Sequence, residues 1–103
     1  MSFLSSLFGL GKSSLKEAFL RGALVIDVRN AYQYDNGRIP GSINIPAALI
    51  NSDIERIRDI KKPIIICSDS GFESARIVGI LKQAGIKDVY NGGSWESLLR
   101  KLK

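Results

Sequence analysis

The chain has 103 residues, 45% of them hydrophobic and 24% charged, with a net charge of +5. This is one globular domain's worth of sequence, enough to bury a core, and no apolar run approaches the length needed to span a bilayer. There is one cysteine and no histidine, which excludes an intramolecular disulfide, a zinc site of Cys and His ligands, and any Ser-His or Cys-His catalytic pair.

A lone thiol suits a reducing compartment, so a cytoplasmic location is expected. The positive charges form no stripe interleaved with aromatics. Lys61 and Lys62 fall in a turn, and Arg100, Lys101 and Lys103 sit at the C-terminus, where they complement a helix dipole. Nucleic acid is therefore not the expected partner.

Residues 1–13 read as an N-terminal tail, either short and amphipathic or flexible. Phe3, Leu4, Leu7 and Phe8 recur at helical spacing, so residues 1–10 could lie on a membrane surface. No basic start or small-residue cleavage site marks a secretory signal. GKSS at residues 11–14 has the ending of a P-loop, but Ser6 stands where the first glycine is required and no strand precedes it. The same serines have a structural use: Ser14 and Glu17 have capping-box spacing for a helix through Leu15, Ala18 and Phe19, which Gly22 ends.

The domain proper is read as residues 14–103. The run from Ala23 to Val28 is continuous, apolar and rich in β-branched residues, as in a strand buried on both faces. Asn30 caps a short helix through Tyr34, ended at Gly37. Ile43 to Ile45 is a second short strand. Pro46 leads into a helix carrying Leu49, Ile50, Ile54 and Ile57. After Pro63, Ile64 to Cys67 is a third strand, followed by a tight loop from Ser68 to Gly71 and a helix from about Phe72 to Ala84. Lys87 to Tyr90 is the last strand. Gly92 and Gly93 turn the chain, and Ser94 caps a final helix lined by Trp95, Leu98, Leu99 and Leu102.

Strands alternating with helices predict an α/β domain with a small, mainly parallel twisted sheet and helices on both faces. Such sheets bind ligands beyond the carboxyl ends of their strands. The loop after Cys67 is one such end and runs into a helix N-terminus, where unpaired amides favour an anion.

This order of elements resembles the single-domain rhodaneses, which move sulfane sulfur through a cysteine persulfide. ALVIDVR at 23–29 looks like the family's first buried strand, bringing Asp27 and Arg29 into its Asp-Val-Arg. GRIPGSINIP at 37–46 looks like its G-H-I-P-G-A-x-N-I-P, with Arg38 where the histidine usually stands. GIKDVYNGG at 85–93 looks like its G-F-x-x-V-x-x-L-G-G. The resemblance runs from about residue 14 to 102 and implies the rhodanese-like fold.

The active loop departs from that pattern. Laid without a gap on PIIICSDSGFESA at 63–75, the family loop puts its Gly, Ser and Ala on Gly71, Ser74 and Ala75. Its cysteine falls on Ser68 and its arginine on Glu73. A serine hydroxyl is not ionised near neutral pH, and this chain has no histidine to act as its base. Glu73 reverses the charge that would hold an anionic substrate, and Asp69 adds a second carboxylate. A carboxylate about 6 Å from a bound anion is repulsive by about 1–3 kcal/mol. Ser70 and Glu73, with Gly71 and Phe72 between them, have the spacing of a reciprocal capping box.

Two readings follow. In the first, the chain is a catalytically inactive rhodanese-like domain that acts as a binding or regulatory module for a partner protein or a small anionic or sulfur-containing ligand. In the second, it is an active thiosulfate-type sulfurtransferase that forms its persulfide on Cys67 through a loop one residue longer. Strand alternation favours the first, because residues 67 and 68 then point to opposite sides of the sheet. No cofactor or metal is expected, and the domain is expected to be a monomer.

Overall fold

Four parallel strands, in the order β2-β1-β3-β4, make one sheet. They are β1 (Leu24–Asp27), β2 (Ile43–Asn44), β3 (Ile64–Ser68) and β4 (Val89–Ser94). The structure is a computed structural model describing residues 10–103, with side chains from residue 14; the tail expectation for residues 1–9 lies outside the described residues. The helices are α1 (Leu10–Leu20), α2 (Ala31–Asp35), α3 (Ile54–Arg58), α4 (Gly71–Gln83) and α5 (Trp95–Lys101). Among the described residues, no helix is long and apolar enough to cross a membrane.

Alternation along the strands builds two cores. Ile26, Ile64, Ile66 and Val89 face one side, against Ile57 of α3 and Ile77 and Leu81 of α4. Val25, Ile65 and Cys67 face the other, against Ala18 of α1 and Leu98 of α5. Every residue of β3 is buried, and each fully enclosed isoleucine contributes about 1.5–3 kcal/mol. This is the predicted layer order, with helices on both faces of a wholly parallel sheet.

Local boundaries differ in ways the side chains explain. Helix α1 begins at Leu10, four residues before the expected Ser14 cap, so residues 10–13, read as tail, are helical. Once a helix is nucleated each further residue adds a bond, and a Ser-x-x-Glu pattern alone does not stop it. The single helix expected after Pro46 is instead two 3₁₀ turns, Ala47–Leu49 and Asn51–Asp53, followed by α3. The Ser52 hydroxyl donates to the Leu49 carbonyl at 2.9 Å, the local competition that Ser, Asn and Asp offer an α-helix.

The chain does not turn at Gly92 and Gly93. It continues as β4, with a bulge opposite the Ile66–Cys67 step. A Cβ on Gly92 would lie 2.7 Å from Ile65 Cγ2 and 3.0 Å from the Ile66 carbonyl oxygen, and Gly93 has φ of +79°. The glycines therefore serve close packing and a left-handed backbone within a strand.

The carboxyl end of β1 is fixed by a buried ion pair. Asp27 is fully enclosed and the Arg29 side chain is 4% exposed, with Arg29 Nη2 2.8 Å from Asp27 Oδ2. Arg29 Nε also donates to the carboxylate at 3.0 Å, and Nη2 donates to the Gly37 carbonyl at 2.6 Å. The guanidinium lies 4.4 Å from the centroid of the Trp95 ring. Asn44 Nδ2 donates to the carbonyls of Asp27 and Arg29, both at 2.9 Å, tying in β2.

Removing one member leaves the other buried and unpaired, so Arg29→Ala should lower stability by about 3–5 kcal/mol in urea unfolding. Gly92→Ala, which overpacks a rigid backbone and Ile65, should cost about 1–3 kcal/mol in the same measurement.

Candidate active-site loop

The loop joins β3 to α4 at the carboxyl edge of the sheet. Ser68 closes β3, Asp69 and Ser70 bend the chain, and Gly71 opens α4. Ser70 is the N-cap, with extended backbone (φ −141°, ψ 157°), and its hydroxyl accepts from the Glu73 amide at 3.4 Å. The amides of Gly71 and Phe72 belong to the first turn and have no intrahelical partner. The frame of an anion cradle is therefore present.

The expected reciprocal capping box is only half made. The Glu73 carboxylate does not return to Ser70; it pairs with Arg76 Nη2 at 2.6 Å, one turn along the helix surface. Glu73 is half-buried, and Phe72 beside it is 90% exposed. Asp69 accepts from Gln33 Nε2 of α2 at 3.1 Å.

Cys67 and Ser68 point to opposite sides of β3. Cys67 is fully buried in the core formed with α1 and α5. Burial first, and the nearby Asp27 carboxylate second, push its pKa up to about 12, against a smaller opposing pull from Arg29. Ser68 is 4% exposed and ends β3 where the loop begins, paired in register with Ser94. No described side-chain polar atom is both fully enclosed and unpaired.

The other expected positions have structural partners. Arg29 is committed to Asp27, Gly37 and Trp95, as described above. Burial works against its charge, but the hydrogen bonds and attraction of Asp27 outweigh it and raise its pKa. Arg38 is half-exposed, 5.1 Å from the Tyr34 ring centroid and 3.9 Å from Asp35. Its contacts are with α2 and not with the loop.

Two loop supports come from residues outside the motifs of the sequence. Asn91 Oδ1 lies 2.5 Å from the buried Ser74 hydroxyl and 2.9 Å from the Gly93 amide, while its Nδ2 donates to the Gly71 carbonyl at 3.2 Å. It ties β4 to the first turn of α4. Gln33 ties α2 to Asp69. The available signal for Asn91 was a polar amide in a strand beside two glycines; Gln33 carried none.

The architecture coincides with that of a known family. The profile of the rhodanese-like domain matches residues 12–100. A tRNA sulfurtransferase of Thermoplasma acidophilum is 31% identical over 78 residues, covering 76% of this chain and 15% of that protein. The thiosulfate sulfurtransferase GlpE of Pseudomonas syringae is 30% identical over 71 residues, covering 69% of this chain and 66% of its own length. The chain thus spans less than two thirds of the curated relatives it matches. Among solved structures, a rhodanese-related protein from Thermoplasma volcanium superposes with a TM-score of 0.69 at 27% identity, covering 84% of this chain and 85% of that one. The human single-domain sulfurtransferase TSTD1 superposes with a TM-score of 0.68 at 21% identity, over 86% and 92% of the two chains, a likeness of fold. With a family profile spanning nearly its whole length and sulfurtransferases among its homologues, the chain belongs to the rhodanese-like domain family.

Proposed function

We propose that this domain does not transfer sulfur and acts as a binding or regulatory module, its loop of residues 67–73 recognising a small anionic or sulfur-containing ligand or a partner protein. The observation that carries this reading is the burial of the only thiol: Cys67 is fully enclosed in the core with α1 and α5, and the next residue, which ends β3 at the loop, is the serine Ser68. Sulfur transfer needs a thiolate. With its pKa pushed up to about 12, Cys67 is protonated throughout the physiological range. Ser68 has no histidine to deprotonate it and cannot store sulfur as a stable persulfide.

The charge on the loop supports the same reading. Glu73 occupies the position that the family pattern gives to arginine, and Asp69 stands on the same loop. Their pairing with Arg76 and Gln33 moderates the negative field but leaves no arginine aimed at the cradle. The remaining donors are first-turn amides, which suit a weakly charged or partly neutral group better than a divalent anion. With its single thiol enclosed and no disulfide, the domain is read as cytoplasmic and monomeric.

The second reading, a sulfurtransferase using Cys67, draws on the activities named for the Thermoplasma and Pseudomonas relatives. It requires the thiol to leave the α1–α5 core and swing to the other face of the sheet.

Incubation with thiosulfate should add no sulfur to the chain by intact-mass measurement, and no thiocyanate should form with cyanide. A persulfide on Cys67 would overturn the proposal. The double variant Ser68→Cys with Glu73→Arg should gain one sulfur atom per chain, because it returns a thiol and a guanidinium to the existing loop frame.

The buried thiol also sets a pH limb. Its folded pKa is raised above the ordinary 9.0, so the stability it contributes is complete below pH about 9 and is lost as pH rises towards 12. Urea midpoints measured from pH 7 to 11 should fall at the alkaline end, and Cys67→Val should flatten that fall.

A further inference from the structure

The pole opposite the loop, where β3 and β4 begin, carries a cleft that the family's chemistry does not use. It encloses about 390 Å³ and is lined by Arg21, Arg58, Lys61, Lys62 and Lys87, with Asp88 as its only carboxylate. Asp88 is already occupied: it accepts from Arg21 at 2.9 and 3.1 Å and from the Tyr90 hydroxyl at 2.5 Å. Arg58 is likewise anchored, to Glu55 at 2.5 Å and to the Ala84 carbonyl at 2.5 Å. Lys61, Lys62 and Lys87 form no ion pair among the described residues. The two arginines thus make fixed walls and the three lysines supply unspent charge.

Two further features distinguish this cleft from an ordinary solvated surface. Its floor is apolar, formed by Ile57, Pro63, Ile64 and Ile86, so a charge held there is less completely screened than on an open face. Lys61 is the single described non-glycine residue with a left-handed backbone, at φ of +59°. Glycine or asparagine adopts that conformation at less cost. Lysine is kept there in spite of that cost, and it lines the cleft.

From this cleft we infer a binding site for a small polyanion, a molecule bearing two or more phosphates, at the strand-start pole. A compact ligand fits because the cavity is of small-molecule size and because lysines act as point charges on phosphate without demanding a planar, bidentate partner. The site is independent of the reading given to the loop. The two poles have opposite character: Asp69 and Glu73 stand at the loop, and an excess of cations stands here, so a phosphorylated molecule meets attraction at this end.

The test is a titration of the intact chain with inorganic pyrophosphate, followed by amide chemical shifts, against sodium chloride at matched ionic strength. Saturable shifts at residues 61–64 and 85–88, absent at 69–73, are expected. The variant Lys61→Gln with Lys87→Gln should weaken binding by about tenfold or more, as expected for two contacts of up to about fivefold each. Lys61→Gly relieves the left-handed backbone and should melt no lower than the parent chain while also binding more weakly, which separates recognition from folding. A response equal to that of sodium chloride, shifts centred on 69–73, or unchanged affinity in the lysine variants would overturn the inference. Tighter binding of hexaglutamate than of pyrophosphate would overturn the ligand class.

Discussion

Side chains alternate across a strand, and in β3 this places two neighbouring residues in different worlds. Cys67 shares a core with α1 and α5, and Ser68 belongs to the side of the sheet from which α4 rises. No small adjustment exchanges them, because shifting β3 by one residue would also move Ile64, Ile65 and Ile66 to the wrong faces. Each of these isoleucines is enclosed on its own side, so the register is held by several kcal/mol of burial. The chemistry open to the loop therefore depends on the packing of the strand beneath it.

Around that strand the loop is held from several sides by polar contacts. The Asp27–Arg29 pair fixes the end of β1 under Trp95. Asn91 ties the start of α4 to β4, and Gln33 ties α2 to Asp69. These contacts hold the loop with polar bonds that do not require a thiolate or a substrate. A loop held in this way can keep its shape while the residues on it vary, so family architecture by itself does not fix the chemistry of the loop.

The layered fold was legible because it is written in hydrophobic periodicity. The β-branched runs at Ala23 to Val28 and Ile64 to Cys67 and the helical face of Ala75 to Ala84 carry it. Several caps were legible as well: Asn30, Ser70 and Ser94 each accept a backbone amide as their side-chain chemistry predicts. Tertiary context decided what was misread. Gly92 and Gly93 look like a turn locally, but the demand at that point is for space beside Ile65 and Leu98. The segment after Pro46 has helical apolar spacing, but Ser52 bonds back to Leu49 and breaks it into short turns. Glu73 has capping spacing, but Arg76 lies closer to its carboxylate. Cys67 and Ser68 could be placed on opposite faces from sequence because alternation needs no long-range information. Asn91 and Gln33 could not be assigned, since their partners come from distant parts of the chain.

The enclosure of the only thiol has a practical side. An alkylating reagent cannot reach it while the sheet and the two helices over it stay closed, so labelling proceeds through molecules that have opened. Where opening and reclosing outrun the reagent, the labelling rate measures the equilibrium population of the open form, and where the reagent outruns reclosing it measures the opening rate itself. The chain thus carries an intrinsic gauge of its own breathing, at the centre of the sheet, with no competing thiol to confuse the reading.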